Sequence, residues 1–219
     1  MTRVRVGKGM SVDSRYAVDD GYGVDEALCA ATGWAGVFGD GTPLVVEVGF
    51  GNGQSLAEMA RRRPESGFVG IELYGKGVQK LCRRLDREKI GNVRVIKDEA
   101  FETLGKRFRD GIIDEVHVNF PDPWPKRRHH KRRLVDPAFV ELLFAKLRPG
   151  GEVFLATDFD CYADQMLEVF EAHPGFVNTA GPLTFRYEMP DRIVTKYERK
   201  FSELGATIRY LWYRRTDPE

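Results

Sequence analysis

The stretch LVVEVGFGNG, residues 44–53, decides the fold of this 219-residue chain. It begins as a nearly continuous apolar run and ends in glycines at alternate positions. Such a run is typical of a buried parallel strand, and the glycines indicate a sharp turn into a helix. Strand and helix patterns alternate after this stretch, so the sequence predicts βαβ units and a mostly parallel sheet.

Seven strands are predicted, over residues 44–48, 68–73, 93–96, 116–120, 152–157, 176–179 and 208–213. The predicted helices between them cover 54–63, 77–89, 101–107, 137–147 and 162–173, and an irregular linker joins the last two strands. The predicted fold class is therefore α/β and Rossmann-like, with helices on both faces of a seven-stranded sheet over residues 43–219. Residues 1–42 are expected to form an irregular or flexible N-terminal segment, with one short helix around 25–31.

The composition narrows the class of protein. A chain of 219 residues with 42% hydrophobic residues suits one sizeable core. Neither a membrane span nor a secretory signal is expected, because no window approaches 18 uncharged apolar residues. The three cysteines, at positions 29, 82 and 161, are too far apart for a metal knuckle or a disulfide framework. We therefore expect a reduced, cytoplasmic protein without a metal site.

The formal net charge of +1 conceals three basic clusters. Residues 126–133 read KRRHHKRR, and residues 61–63 are all arginine. The third cluster lies on one predicted helix and comprises Lys76, Lys80, Arg83, Arg84 and Arg87. Basic clusters on a nearly neutral chain indicate a polyanionic partner, although solvated surface is the alternative interpretation of any one of them.

The glycine loop favours a particular kind of cofactor. Gly49, Gly51 and Gly53 have the spacing G-x-G-x-G, and Gln54 stands where a dinucleotide fingerprint has its third glycine. Glu47 lies inside the strand just before this loop. Its carboxylate would repel a phosphate but can hold a cationic amino group. An amino-acid-bearing nucleoside such as S-adenosylmethionine is therefore favoured over a pyrophosphate cofactor.

Acids also follow the next two predicted strands. Glu72 ends the second strand, where a carboxylate can bridge two ribose hydroxyls. Asp98 and Glu99 follow the third strand and are placed to accept a hydrogen bond from an adenine amino group. The glycine loop together with acids after three strands resembles the class I S-adenosylmethionine-dependent methyltransferases, which implies their sandwich fold and their cofactor.

The segment after the fourth strand is the most specific in the chain. Asn119 is followed by FPDPWP, residues 120–125, in which two prolines fix the backbone around Asp122. Trp124 offers a flat surface for stacking a base, and the basic block after it suits phosphates. A structural turn explains this combination of an acid, an aromatic ring and a basic block poorly.

Three motifs together resemble the bacterial tRNA (guanine-N7-)-methyltransferase family. They are VEVGFGNG at 46–53, FPDPWPKRRHHKRR at 120–133 and VTKYE at 194–198, within a resemblance that runs from about residue 43 to the C terminus. The resemblance implies methyl transfer from S-adenosylmethionine to N7 of a tRNA variable-loop guanine (conventional position 46). The products would be 7-methylguanosine and S-adenosylhomocysteine. tRNA is the implied partner, and no obligatory protein partner is expected.

The resemblance also implies roles for individual residues. The cofactor-binding residues would be Glu47, Gly49, Gly51, Gly53, Glu72, Asp98, Glu99, Asn119 and Asp122, and Asp122 would also be the catalytic acid. The tRNA-binding residues would be Lys126, Arg127, Arg128, Asp158, Thr195, Lys196, Tyr197 and Glu198. The family usually has Asp-Ala after the third strand, so whether Asp98 or Glu99 contacts the adenine stays open. We expect Asp122 to stabilise developing charge, and Asp158 or Glu198 to recognise the base edge.

Three other functions agree less well with the sequence. A methyltransferase acting on an exocyclic amine would carry an N-P-P-Y type loop, whereas this chain reads NFPD at 119–122. A non-catalytic RNA-binding protein would not need the cofactor acids and glycines. A nicotinamide-dependent oxidoreductase is disfavoured by the missing third glycine and by Glu47.

Overall fold

The computed structural model describes residues 21–216. Its seven strands form one sheet in the order β3-β2-β1-β4-β5-β7-β6. The strands are β1 Leu44–Val48, β2 Gly67–Ile71, β3 Val93–Ile96, β4 Ile113–Asn119, β5 Leu147–Thr157, β6 Phe176–Asn178 and β7 Arg209–Arg215. All pairs are parallel except those of β7, which runs antiparallel to both β5 and β6. The predicted mostly parallel, seven-stranded sheet is thus confirmed.

Helices cover both faces of this sheet, as predicted. They are α1 Glu26–Phe38, α2 Gln54–Arg62, α3 Gly75–Glu88, α4 Ala100–Arg107, α5 Pro137–Lys146, α6 Asp160–Glu171 and α7 Lys196–Glu203. One core packs beneath α4, α5 and α6, and a second packs beneath α2 and α3. Within residues 21–216, no helix has both the length and the apolar character needed to cross a membrane.

Residues 21–42 are more ordered than the sequence suggested. Asp25 caps α1 by accepting a hydrogen bond from the backbone N–H of Leu28, and α1 extends to Phe38 rather than ending near residue 31. Trp34 is buried, stacks on Phe108 and donates from Nε1 to a backbone carbonyl. The expected short helix around 25–31 lies within α1, which continues past a kink at Gly33 to Phe38, so the irregular segment expected over residues 21–42 is limited to the residues outside α1. The same expectation for residues 1–20 lies outside the described residues.

The linker between β6 and β7 contains a helix that the sequence analysis missed. Thr195 accepts a hydrogen bond from the backbone N–H of Glu198, and the Glu198 carboxylate accepts one from the backbone N–H of Thr195. This reciprocal capping box begins α7. The helix lacks an apolar stripe of the usual width, since its only large hydrophobic side chains are Tyr197 and Phe201, and periodicity alone could not reveal it.

Candidate functional site

The glycine loop after β1 packs closely against α3. Gly53 has a φ of 68°, and a Cβ atom there would lie 2.5 Å from the side chain of Leu81. A Cβ atom on Gly77, in the first turn of α3, would lie 2.1 Å from the carbonyl oxygen of Gly51. Neither position has room for a side chain. The backbone of the loop therefore stays close to α3, and a ligand can approach its other side directly.

Glu47 is the most unusual titratable group of the site. It is 2% exposed, and its Oε1 accepts a hydrogen bond of 2.9 Å from Nδ2 of Asn119. Its Oε2 is buried and accepts no hydrogen bond of good geometry within residues 21–216, although the nearby backbone N–H of Leu56 acts to lower the pKa of Glu47. Burial raises the pKa of Glu47 to about 7. A buried acceptor without a partner is uncommon, and a ligand ammonium group would satisfy it.

Glu72 ties the glycine loop to the end of β2. Its two carboxylate oxygens accept hydrogen bonds from the backbone N–H groups of Gly51, at 2.8 Å, and Tyr74, at 2.9 Å. The carboxylate is thus held at the same sheet edge as Glu47, as the sequence predicted from the ends of parallel strands. The negative charge of Glu72 also acts to raise the pKa of Glu47.

Asp98 and Glu99 follow β3, and both side chains are exposed. Glu99 is the N-cap of α4 and accepts a hydrogen bond of 2.9 Å from the backbone N–H of Glu102. Asp98 accepts one of 2.8 Å from the backbone N–H of Glu99. The structure therefore shows a capping function for Glu99, while the predicted adenine contact of either acid stays a prediction.

The loop after β4 has an unusual backbone. Phe120 and Trp124 have φ values of 50° and 44°, a region that large side chains rarely adopt. Between them, Asp122 is exposed, and no ion pair engages its carboxylate in the described part of the chain. Arg133, which is buried, holds the loop by donating from Nε to the carbonyl of Pro123 at 2.8 Å. Strained residues that the surrounding structure holds in place are typical of functional sites.

The basic block forms a short 3₁₀ helix, Arg127–Arg132. Lys126, Arg127 and Arg128 are exposed, as a phosphate-binding role would require. The guanidinium group of Arg132 lies 4.9 Å from the ring centre of Trp124 and covers one face of the indole. Two members of the block thus contact the loop: Arg133 is buried beneath it, and Arg132, although exposed, stacks on Trp124. Sequence could not separate these arginines from their exposed neighbours.

Aromatic rings connect α7 to the ends of β4 and β5. The ring centres of Tyr197 and Phe120 lie 5.1 Å apart, and those of Tyr197 and Phe201 lie 4.3 Å apart. Burial raises the pKa of Tyr197, and so does the nearby negative charge of Asp158, the residue after β5. The structure thereby brings together Asp158 and Tyr197, two residues whose predicted roles concern the same substrate.

Glu198 is fully engaged by protein groups. It is 1% exposed and forms an ion pair with Arg192, whose Nε and Nη2 donate to the two carboxylate oxygens at 2.8 and 3.2 Å. The hydroxyl of Tyr210 donates to the same carboxylate at 2.5 Å, and burial together with this contact raises the pKa of Tyr210 to about 12. The third Arg192 donor, Nη1, contacts Oδ1 of Asn119 at 3.1 Å.

Arg192 therefore connects the predicted cofactor-binding residues Glu47 and Asn119 with Glu198, a predicted tRNA-binding residue. The hydrogen bonds run without interruption from Glu47 through Asn119 and Arg192 to Glu198. The side chain of Arg192 is only 10% exposed, so most of it contacts protein groups. An arginine three residues before a T-x-x-E capping box gives no signal of this role, because its partner Asn119 is 73 residues away.

Comparison with known proteins gives consistent results. A family profile described as "Putative methyltransferase" matches residues 41–211. A tRNA (guanine-N(7)-)-methyltransferase from Alkalilimnicola ehrlichii is 46% identical over 82% of this chain and 76% of its own length. The corresponding protein from Geobacter metallireducens is 40% identical over 87% of this chain and 90% of its own length.

Solved structures share the fold at low sequence identity. One is a 16S rRNA (adenine(1408)-N(1))-methyltransferase variant with its cosubstrate SAM, from Catenulisporales acidiphilia. It is 20% identical, covers 85% of this chain and 91% of its own, and superposes with a TM-score of 0.57. This similarity concerns the α/β architecture alone.

Proposed function

Since the chain belongs to the tRNA (guanine-N7-)-methyltransferase family, we propose that it methylates N7 of a guanine in tRNA. The methyl donor is S-adenosylmethionine, and the acceptor is the variable-loop guanine at conventional position 46. The buried carboxylate of Glu47 is the single observation within this chain that supports the proposed function. Its Oε2 accepts no hydrogen bond of good geometry in the described residues. The carboxylate lies at the carboxyl edge of the sheet, beside the glycine loop, and is hydrogen-bonded to Asn119, which in turn contacts Arg192.

The residues around this carboxylate fit the donor molecule. Glu47 would hold the ammonium group of its amino-acid part, and Glu72 would bind its ribose hydroxyls once it exchanges backbone contacts for ligand contacts. The backbone of Gly49, Gly51 and Gly53 would lie against it, with Asp98 or Glu99 near the adenine. The side chains of Asn119 and Asp122 complete the proposed set.

The chemistry requires positioning and charge stabilisation more than acid–base catalysis. When bound, S-adenosylmethionine supplies a sulfonium methyl group, which N7 takes with its lone pair while the S–C bonding electrons return to sulfur. N7 carries no proton, so the protein needs no base to create the nucleophile. The guanine ring gains positive charge during the transfer, and the exposed carboxylate of Asp122 would stabilise that charge. Asp122 is therefore the proposed catalytic residue.

Asp158 and Tyr197 are the proposed guanine-binding pair. Asp158 can accept hydrogen bonds from N1–H and the 2-amino group of guanine, whereas adenine presents an N1 lone pair and C2–H at those positions. Tyr197 is 46% exposed, and its stacking on Phe120 places it next to the loop that carries Asp122. The Thr195 and Lys196 backbone is fixed by the capping box and by a hydrogen bond of 3.2 Å from Lys196 N–H to the Gln54 side chain.

For Glu198 we propose positioning rather than direct contact with the base. Its two oxygens already accept hydrogen bonds from Arg192, Tyr210 and the Thr195 backbone. A buried ion pair with several hydrogen bonds is costly to open, so Glu198 would serve by holding the start of α7 beside the cofactor site.

The exposed side chains of Lys126, Arg127 and Arg128 would bind tRNA phosphates. Recognition of folded tRNA is expected to depend chiefly on shape and on phosphate contacts. tRNA is thus the proposed partner, and the cytoplasm, where tRNA is processed, is the proposed location.

Incubation of the protein with unmodified tRNA transcript and methyl-labelled S-adenosylmethionine tests this proposal. Nuclease digestion and mass spectrometry should find 7-methylguanosine at one variable-loop guanine. Asp122→Asn should lower the rate, whereas Asp164→Asn, an exposed acid on α6, should not. A methylated exocyclic amine in place of 7-methylguanosine would overturn the assignment while leaving the cofactor site intact.

A further inference from the structure

The third basic cluster of the sequence lies on α3, and the proposed reaction does not use it. Lys76, Lys80, Arg83 and Arg87 are all exposed. Their spacing of four, three and four residues places them within roughly 60° of arc on a helix of 3.6 residues per turn. The opposite side of the helix carries its buried residues, such as Leu81 and Leu85. The four cations therefore form one continuous stripe about 16 Å long, at about 1.5 Å per residue.

Three of these cations have no acidic partner within residues 21–216. In the described part of the chain, no carboxylate forms an ion pair with Lys76, Lys80 or Arg83, whereas Arg87 pairs with Glu88. The basic cluster at residues 61–63 lies on the same face of the sheet, but its arginines form ion pairs. Arg61 and Arg62 both pair with Glu58, and Arg63 pairs with Glu115. The end of α3 nearest to the cofactor loop thus carries the uncompensated charge.

The stability of α3 does not account for this charge. Its first turn contains Lys76 and no acid, although the helix macrodipole favours acids at that end. Salt bridges between residues four positions apart would stabilise the helix, and none engages Lys76 or Lys80 in residues 21–216. A partner that carries negative charge would give these side chains a function.

The sheet order places this stripe on the far side of the cofactor loop from the basic 3₁₀ helix. The loop follows β1, α3 follows β2, and the 3₁₀ helix follows β4. Because β1 lies between β2 and β4, the loop lies between the two basic surfaces. A polyanion could contact both surfaces while it covers the site.

We propose that Lys76, Lys80 and Arg83 of α3 form a second phosphate-binding surface for the tRNA backbone. The inference rests on the proposed function, since it takes the substrate RNA as the polyanion. It extends the RNA footprint beyond the basic 3₁₀ helix to the opposite side of the glycine loop. Contacts to phosphates carry no sequence information, so this surface positions the RNA and leaves the choice of base to the site.

A pair of charge-matched variants tests this surface. Lys80→Gln/Arg83→Gln removes two cations without a counter-charge, and Arg61→Gln/Arg62→Gln removes two that pair with Glu58. The affinity of each full-length variant for unmodified tRNA transcript is measured with S-adenosylhomocysteine present, over a series of salt concentrations. Cofactor affinity is measured by calorimetry.

Loss of two phosphate contacts should reduce the slope of log K against log salt by about 1.4 to 1.8. Affinity at low salt should fall on the order of tenfold for the α3 variant, with cofactor affinity and the control variant unchanged. Equal effects of both variants would mean a general charge effect and would overturn the proposal, as would no effect of either. A wild-type protein that neither binds nor methylates tRNA would instead refute the proposed function.

Discussion

Arg192→Gln should uncouple α7 from the cofactor site. The substitution removes the three donors that hold Glu198 and Asn119 at 2.8, 3.2 and 3.1 Å. The side chain of Glu198, which is 2% exposed, would then carry a buried negative charge with no cation beside it. Removing one partner of a buried ion pair costs about 3–5 kcal/mol. Local opening of residues 190–204 limits the loss, so we expect about 3 kcal/mol, equivalent to about a hundredfold in the opening equilibrium.

The double variant Arg192→Gln/Glu198→Gln gives the sharper test. With both charges absent, no uncompensated charge remains buried, so the cost should be well below the sum of the two single costs. We expect a coupling of about 2 kcal/mol, which neighbouring residues in one hydrogen-bond network commonly show. Arg199→Gln, on the exposed side of α7, is the control and should change stability by less than about 0.5 kcal/mol.

Hydrogen exchange of peptides covering residues 190–204 measures the local opening directly, and urea unfolding measures global stability. Exchange in these peptides should accelerate about a hundredfold in Arg192→Gln, and in the double variant by well under the product of the factors for the two single variants. If the two single costs add to within about 0.5 kcal/mol, Arg192 and Glu198 act independently and the argument from their contacts fails.

Three further predictions concern the site. Without cofactor, the raised pKa of Glu47 means that the folded state binds more protons than the unfolded state between about pH 4.5 and 7. This contribution to stability, at most about 3 kcal/mol, should be present below pH 4.5 and lost as the pH rises to 7, and Glu47→Gln should remove that pH dependence in urea titrations. Asp122→Asn should lower kcat at saturating substrates by about a hundredfold while changing both dissociation constants less than tenfold; a variant with unchanged kcat would exclude Asp122 from charge stabilisation. Gly77→Ala should abolish calorimetric cofactor binding, since its Cβ would lie 2.1 Å from the Gly51 carbonyl oxygen, and Gly105→Ala, where nothing lies within 4 Å, should not.

The sheet was predictable because each central strand is a short apolar run bounded by turn residues. β3 matches its predicted bounds of 93–96, and β1 those of 44–48. β5 begins at Leu147 rather than at residue 152, because the strand continues through Arg148, Pro149 and two glycines, which usually mark a turn. The local sequence pattern does not show that hydrogen bonding with a neighbouring strand continues through such residues.

The site was predictable where a residue's place at a strand end determines its neighbours. Glu47, Glu72 and Asn119 converge at one sheet edge for that reason. The Arg192 contacts were not predictable, because they join residues far apart in the chain through side-chain geometry. The helix α7 was recoverable in principle, since Thr195 and Glu198 carry the T-x-x-E capping signature that periodicity does not use.

The position of β7 within the sheet has a consequence for synthesis. β6 pairs only with β7 in the described residues, and β7 comes last of the seven strands along the chain. A nascent chain that has not yet produced β7 therefore exposes the hydrogen-bonding edge of β5, a strand of eleven residues. Open edges of this kind favour association between chains. The edge of β5 is thus open to pairing with another chain until β7 docks.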